Sequence, residues 1–329
     1  MYDKIWKDRI KGSSDWILQE DIVKGWLECS HDQIVVVSGL PGSGKTFLAA
    51  RMVGHLLSTP NQANKESTRL SAAYFFCKER LAALSKVATA LKTVAYQLAL
   101  NDLAYSKHIL ELARKESLPR SDISQIWKAL FHDYFRKARG TSFVVVDAID
   151  ECDEEEVKTL WEAVNQWPLA TKSNGPAKLR LFFTIRQDAA SVIIDNLRDH
   201  CKQLALSASY YRADFRKFVG RRSRRAFATK MISASLMADI RYSVSDVADG
   251  NYLHASLTIE RFASLPREDM IRKSIAEPPM ALADVANFTL KHLMRNLSSE
   301  RQADFEVGPF PAENMCANAY IESGYTCMD

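Results

Sequence analysis

Short apolar runs alternate with longer helical patterns along the first two thirds of the chain. Residues 34–37 and 143–146 consist of Ile, Val and Phe without interruption, which is typical of strands that are buried on both faces. Residues 72–76, 179–185 and 203–206 predict three more strands. Because helical patterns separate the strands, we expect right-handed crossovers and a parallel sheet covered by helices on both faces, which is an α/β fold.

The helical patterns divide the chain into two parts. One helix is expected over residues 44–57, and residues 85–138 are expected to be helical with two breaks. A further helix places apolar residues at i, i+3, i+4 and i+7 from Val157 to Val164. Strand signals stop after residue 208, so a smaller helical region is expected to follow the sheet. Its predicted helices cover residues 210–226, 236–248, 252–264 and 282–297.

The loop between the first strand and the first long helix carries a specific motif. Residues 39–46, Gly-Leu-Pro-Gly-Ser-Gly-Lys-Thr, match the phosphate-loop pattern G-x-x-x-x-G-K-[ST] at every fixed position. In this setting the loop amides and the helix N-terminus face the phosphates. Lys45 is expected to bridge the β- and γ-phosphates, and the Thr46 hydroxyl to bind Mg²⁺, so the motif predicts ATP or GTP with Mg²⁺. The residues expected to contact the nucleotide are Gly39, Leu40, Pro41, Gly42, Ser43, Gly44, Lys45, Thr46 and Phe47.

Acidic residues follow the buried run at residues 143–146. Asp147 lies at the C-terminal end of this strand, the ligand-binding edge of a parallel sheet, and we expect it to bind Mg²⁺ directly or through water. Asp150 and Glu151 come next, and either could orient or deprotonate an attacking water. We favour Glu151 as the base and Asp150 as a support to the metal shell. The alternative is that these acids only begin the next helix, whose N-terminus favours negative charge.

Arg186 ends the fourth predicted strand at the same edge of the sheet. We expect it to contact the γ-phosphate or to pair with one of the acids. The alternative is a salt bridge to a surface carboxylate.

Composition narrows the class of protein. The 329 residues suffice for one large domain and an accessory one, and a hydrophobic share of 47% is ordinary for a soluble protein. A net charge of +4 gives no strong case for nucleic acid, and the basic run at residues 221–225 is interpreted as a solvated helix face, with nucleic acid or phospholipid as alternative ligands. We find no apolar run long enough for a membrane span and no signal peptide, and the scattered cysteines suit a reducing compartment. A cytoplasmic protein without a nucleic-acid partner is expected.

These motifs resemble the NACHT class of STAND signalling NTPases, in the fungal variety related to the nephrocystin N-terminal region. The small residue Ala148 after Asp147, followed by Asp150 and Glu151, is similar to the acidic strand end of that class. Gln187 stands where the class usually has proline. Its winged-helix histidine and repeat sensors have no counterpart here. The other segments that carry the resemblance are residues 12–18 with Trp26, 73–77, 91–98, 183–186, 214–215 and 249–255.

The resemblance implies a parallel-sheet P-loop NTPase of the ASCE type with a smaller helical subdomain. It implies a signalling switch that binds Mg-ATP, in preference to GTP, and hydrolyses it slowly to control self-association or contact with other signalling proteins. A nucleotide-binding scaffold without hydrolysis and a P-loop group-transfer enzyme remain alternatives. The expected divisions are lead-in helices at 1–27, the NTPase domain at 28–208, a helical subdomain with an incomplete winged-helix region at 209–300, and a disordered tail at 301–329.

Overall fold

The chain forms two compact units in a computed structural model. The first comprises Met1–Leu40 and Lys45–Ser207, and the second comprises Pro41–Gly44 together with the residues from Ala208 onward. The predicted tail at residues 301–329 lies outside the described residues. The structure describes residues 1–28, 34–58, 71–138, 141–166, 179–197 and 201–295.

Five parallel strands form the sheet of the first unit, in the order β2-β3-β4-β1-β5. The apolar runs at residues 34–37 and 143–146 form β1 and β3. Every residue of both strands is buried, as expected for strands covered on both faces. This sheet confirms the predicted α/β fold. The strands are β1 Ile34–Gly39, β2 Ser71–Phe76, β3 Ser142–Asp147, β4 Leu179–Arg186 and β5 Cys201–Ala205.

Helices cover both faces of this sheet. On one face, Val35 and Val37 of β1 pack with Trp26 and Met52; on the other, Val36 packs in a core with Trp127 and other helical residues. Alternate residues of one strand therefore enter different cores, which explains its unbroken apolar run. The helices of this unit are α1 Tyr2–Asp8, α2 Asp21–Leu27, α3 Lys45–Ser58, α4 Val87–Asn101, α5 Leu103–Arg114, α6 Ile123–Trp127, α7 Asp133–Phe135, α8 Glu154–Gln166 and α9 Gln187–Leu197.

The strand order positions the polar residues of the motifs. β4 lies between β1 and β3, which is the additional strand of the ASCE arrangement. Gly39 at the end of β1 is in register with Arg186 at the end of β4, and Asp147 at the end of β3 is in register with Phe76. The carboxyl ends of all these strands meet at one edge, so the phosphate loop and the acids leave the sheet on the same side.

The second unit is helical in its described part. α12 supplies much of the buried surface, with Ala255, Ile259 and Phe262 almost inaccessible to solvent, and α10 and α11 contribute Val219 and Ile240. Within the described residues, no helix of the chain is both long and apolar enough to cross a lipid bilayer. The helices of this unit are α10 Ala208–Ala226, α11 Ala234–Ala248, α12 Tyr252–Ser264, α13 Glu268–Ala276 and α14 Leu282–Arg295.

Candidate nucleotide-binding site

The phosphate loop leaves β1 at Gly39 and enters α3 at Lys45. Gly42 and Gly44 have φ values of 77° and 86°, in the left-handed region that side chains disfavour, so glycine is required at both positions. Lys45 Nζ donates hydrogen bonds to Gly39 O at 2.6 Å and to Leu40 O at 2.9 Å. The lysine side chain is thus folded back over the loop that precedes it.

The other predicted loop contacts differ in exposure. Leu40 and Phe47 are exposed, at 62% and 39%, whereas Ser43 is buried at 6%. The Ser43 hydroxyl oxygen has no hydrogen-bond partner in the part of the chain that the structure describes. An unpaired buried hydroxyl in a loop of this type fits the binding of a polar ligand there.

Electrostatics at Lys45 are set by burial and by the nearby acids. Burial lowers the pKa of the Lys45 ammonium group, and the negative charges of Asp150 and Asp147 partly oppose that shift. A partly desolvated cation at this position is suited to an anionic ligand, because its attraction to phosphate is less screened than in water.

Asp147 is fixed by two threonines. Its side chain is 2% exposed, and Thr184 Oγ1 donates to Asp147 Oδ1 at 2.5 Å. Burial raises the pKa of Asp147, while hydrogen bonds from Thr184 and Thr46 oppose the rise. The structure therefore brings the two predicted Mg²⁺ ligands, Thr46 and Asp147, into direct contact.

Ala148 turns the chain sharply after β3. It has φ 53° and ψ 50°, a left-handed conformation that costs little only for glycine and is easier for a small residue than for a branched one. Its amide donates to Thr184 Oγ1 at 2.9 Å, so one buried hydroxyl both donates to Asp147 and accepts from Ala148. Thr184 was not among the predicted site residues. The signal that could have found it is its position as a polar residue within the apolar run of β4.

Glu151 ends the short 3-10 turn Ile149–Glu151 that follows. Burial raises the pKa of its carboxyl to about 7; the Glu79 amide lowers it, and the charges of Asp147 and Asp150 add to the rise. Glu79 N donates to Glu151 Oε2 at 3.3 Å. A carboxyl group with a pKa near neutrality can both accept and release a proton at physiological pH.

Asp150 and Arg186 form an ion pair across the ends of β3 and β4. Arg186 Nε donates to Asp150 Oδ2 at 2.7 Å. Burial would lower the pKa of Arg186, but the hydrogen bond and the charge of Asp150 raise it overall. Of the roles left open for Arg186 by the sequence, the structure shows pairing with one of the acids.

The oxygen atoms around Asp147 fit a magnesium ion. Asp150 Oδ1 is buried and has no hydrogen-bond partner within the described residues, so it is available to a ligand or to a metal-bound water. Mg²⁺ is usually bound through one or two carboxylates together with phosphates and water. The described residues contain no group of three or more His, Cys, Asp or Glu side chains arranged for a metal. The Thr46 hydroxyl and the Asp147 and Asp150 carboxylates would hold the ion together with a nucleotide.

The basic run at residues 221–225 lies at the end of α10. Arg221, Arg224 and Arg225 are exposed, and Arg222 pairs with Glu260 of α12. Three of these four arginines therefore face solvent.

The fold and this loop define a P-loop NTPase of the ASCE type. The sequence profile of the family described as "Nephrocystin 3, N-terminal" matches residues 12–186. The chain therefore belongs to the nephrocystin 3 N-terminal family. No curated protein matches the sequence at a significant level.

Solved structures resemble the chain only distantly. Drosophila ORC bound to DNA has 15% identity and a TM-score of 0.45, over 92% of this chain and 69% of that one. Aeropyrum pernix ORC2 has 14% identity and a TM-score of 0.44, over 83% and 70%. A STAND protein with a tetratricopeptide repeat sensor from Pyrococcus horikoshii has 13% identity and a TM-score of 0.36, over 85% of this chain and 33% of that one. Similarities this low carry no argument about function.

Proposed function

We propose that this chain is a nucleotide-dependent switch of the NACHT type that binds Mg-ATP and hydrolyses it slowly to control self-association. The observation that carries the proposal is the pairing of a complete phosphate loop with two acids that have different hydrogen-bond partners. Asp147 is tied to Thr46 and Thr184, whereas Glu151 has a pKa of about 7. We infer from this difference that Asp147 serves metal binding and Glu151 serves proton transfer.

Binding rests on the loop and on Lys45. Backbone amides of residues 39–46 would bind the α- and β-phosphates, with Lys45 close enough to reach the β- and γ-phosphates. When bound, Mg²⁺ would neutralise charge on the phosphates. The Thr46 hydroxyl and the Asp147 carboxylate would bind the ion at the end of β3. The hydrogen bond from Thr184 holds Asp147 in one position there.

Hydrolysis rests on Glu151. Its ionised carboxylate would accept a proton from the attacking water, and a base whose pKa is near the working pH is the most effective. Arg186, held by Asp150, would interact with the terminal phosphate or keep Asp150 in place. Slow turnover suits a switch, since a bound nucleotide then persists long enough to define a conformational state.

The test compares the purified chain with Lys45→Ala and Glu151→Gln variants. Binding of Mg-ATP and Mg-ADP is measured by calorimetry, phosphate release by a coupled assay, and self-association by light scattering with each nucleotide. We expect Lys45→Ala to weaken ATP binding at least tenfold. Glu151→Gln should keep binding and lower phosphate release by about 10²- to 10⁴-fold, the usual contribution of a general base.

Matched controls exclude a general effect of losing a charge. Lys202→Ala removes an exposed lysine of β5, and Glu154→Gln changes an exposed acid in the first turn of α8. If the parent binds nucleotide without releasing phosphate and Glu151→Gln behaves in the same way, the result would favour a nucleotide-binding scaffold without hydrolysis. Turnover that requires a second substrate would favour a group-transfer enzyme, and failure of the parent to bind any nucleotide would refute the proposal.

A further inference from the structure

The tip of the phosphate loop is held by residues far along the sequence. Asn251 Nδ2 donates to Pro41 O at 2.9 Å, and the Tyr252 amide donates to Gly42 O at 2.8 Å. Pro41, Gly42, Asn251 and Tyr252 all belong to the second unit. These contacts lie within one compact body and use two consecutive carbonyls of the loop.

The direction of these carbonyls matters for the loop. In a phosphate loop the amides must point toward the ligand, and the phosphates would be repelled by a carbonyl turned toward them. A peptide carbonyl that accepts a fixed hydrogen bond cannot turn freely. The carbonyls of Gly39 and Leu40 are already engaged by Lys45. Each carbonyl from residue 39 to residue 42 thus has a donor.

The glycines of the loop also fit these neighbours. A Cβ at position 42 would lie 2.3 Å from Asn251 Oδ1, and one at position 44 would lie 3.3 Å from the ring of Tyr252. Both glycines have positive φ, which favours glycine, and at position 42 a side chain would in addition displace Asn251 from its present place against the loop.

Asn251 and Tyr252 are themselves held rigidly. The left-handed pair Asp249 and Gly250 ends α11, and Asn251 then caps α12 by accepting a hydrogen bond from the His254 amide at 3.0 Å. The Tyr252 ring packs against three aromatic rings at centroid distances of 5.0–5.8 Å. The donors are therefore fixed before any ligand binds. The three rings are those of Tyr211, Phe215 and Phe218.

We propose that Asn251 is a positioning residue for nucleotide binding: its side-chain amide holds the Pro41 carbonyl away from the phosphates and keeps the loop amides directed at them. This inference rests on the proposed function, because it concerns the same nucleotide site. Asn251 acts through its hydrogen bond to the loop, so its effect is on the shape of the loop.

The test is Asn251→Ser. Serine remains a good helix cap and is neutral, but it lacks the amide group that reaches Pro41 O. Mg-ADP and Mg-ATP binding are measured by calorimetry, and thermal stability is measured without nucleotide. We expect both affinities to fall by the same factor, about three- to tenfold, as for one lost hydrogen bond. Equal losses follow because the loop amides contact the phosphates that ADP and ATP share.

Ser233→Ala is the matched control. Ser233 caps α11 in the same unit by accepting a hydrogen bond from Leu236 N, and its other side-chain partners in the described part of the chain lie on α11 and α13. We expect this variant to lose stability and to keep the parent's affinity. Unchanged Mg-ADP affinity in Asn251→Ser, or an equal loss in Ser233→Ala, would overturn the inference while the parent still binds. A parent that binds no nucleotide would overturn the proposed function and the inference with it.

Discussion

Glu151 offers a direct test of the site's electrostatics through the pH dependence of stability. Burial is the main cause that raises the pKa of its carboxyl from 4.5 to about 7. The folded chain therefore keeps a proton that the unfolded chain has lost across this range. At ~1.4 kcal/mol for each pKa unit, the rise from 4.5 to about 7 corresponds to roughly 3.5 kcal/mol. Stability contributed by this group is complete below the unfolded pKa and is lost as the pH rises through the folded pKa.

Glu151→Gln removes this titration and leaves a side-chain oxygen that can accept the hydrogen bond from the Glu79 amide. We expect the difference in the free energy of unfolding between variant and parent to shift by about 2 kcal/mol in favour of the variant from pH 5 to pH 8. Comparing the difference at two pH values cancels any constant effect of the substitution.

The assay is urea denaturation without nucleotide or Mg²⁺, followed by tryptophan fluorescence. Trp26, Trp127 and Trp161 are buried in the same unit as Glu151 and report its unfolding. Glu154→Gln, at an exposed position on α8, is the control. A difference between Glu151→Gln and the parent that stays constant from pH 5 to pH 8 would show that Glu151 is ionised in both states. The electrostatic basis for its role as a base would then be lost.

Two further predictions concern the turn after β3 and use the same urea assay. Thr184→Val keeps the shape but leaves Asp147 Oδ1 and the Ala148 amide without their partner, which should cost about 2–4 kcal/mol. Thr258→Val, at a buried hydroxyl without a hydrogen-bond partner in the described part of the chain, should cost less than 1 kcal/mol, and equal costs would contradict the argument. Ala148→Val places a branched side chain at φ 53° and should lower stability by roughly 1–2 kcal/mol, whereas an unchanged denaturation midpoint would show that the turn relaxes without strain.

Local patterns predicted most of the sheet. Strands and the phosphate loop were predicted because each depends on neighbouring residues: unbroken apolar runs for β1 and β3, and a fixed motif for the loop. Strand order could not be predicted in this way, because no pattern within β4 indicates that it lies between β1 and β3. That order depends on which helix covers which face, and it decides which loops meet at the ligand-binding edge.

The elements that were missed have weak or interrupted patterns. α13 was not predicted, because it is nine residues long and only Ile271 is buried. α9 was also not predicted, because it begins directly at the end of β4 without a connecting loop. The helical region at 85–138 contains a π-helical turn at Lys128–His132, which periodicity of 3.6 does not indicate. β5 was predicted, but it covers Cys201–Ala205 rather than 203–206.

The candidate site shows why motif residues alone do not assign roles. Asp147, Asp150 and Glu151 lie within five positions and have similar chemistry, so the sequence could rank them only by analogy. The structure separates them through partners that come from elsewhere. Thr184 and Arg186 at the end of β4 donate to the two aspartates, whereas Glu151 accepts a hydrogen bond from the backbone amide of Glu79. An acid whose carboxylate accepts hydrogen bonds from fixed side chains is held in one position, as a metal ligand needs. An acid with weak partners in a buried place keeps a pKa near neutrality, as a base needs. The sequence already predicted Asp147 as a metal ligand and favoured Glu151 as the base, but the partners of the two aspartates depend on β4 lying beside β3, which the sequence did not indicate.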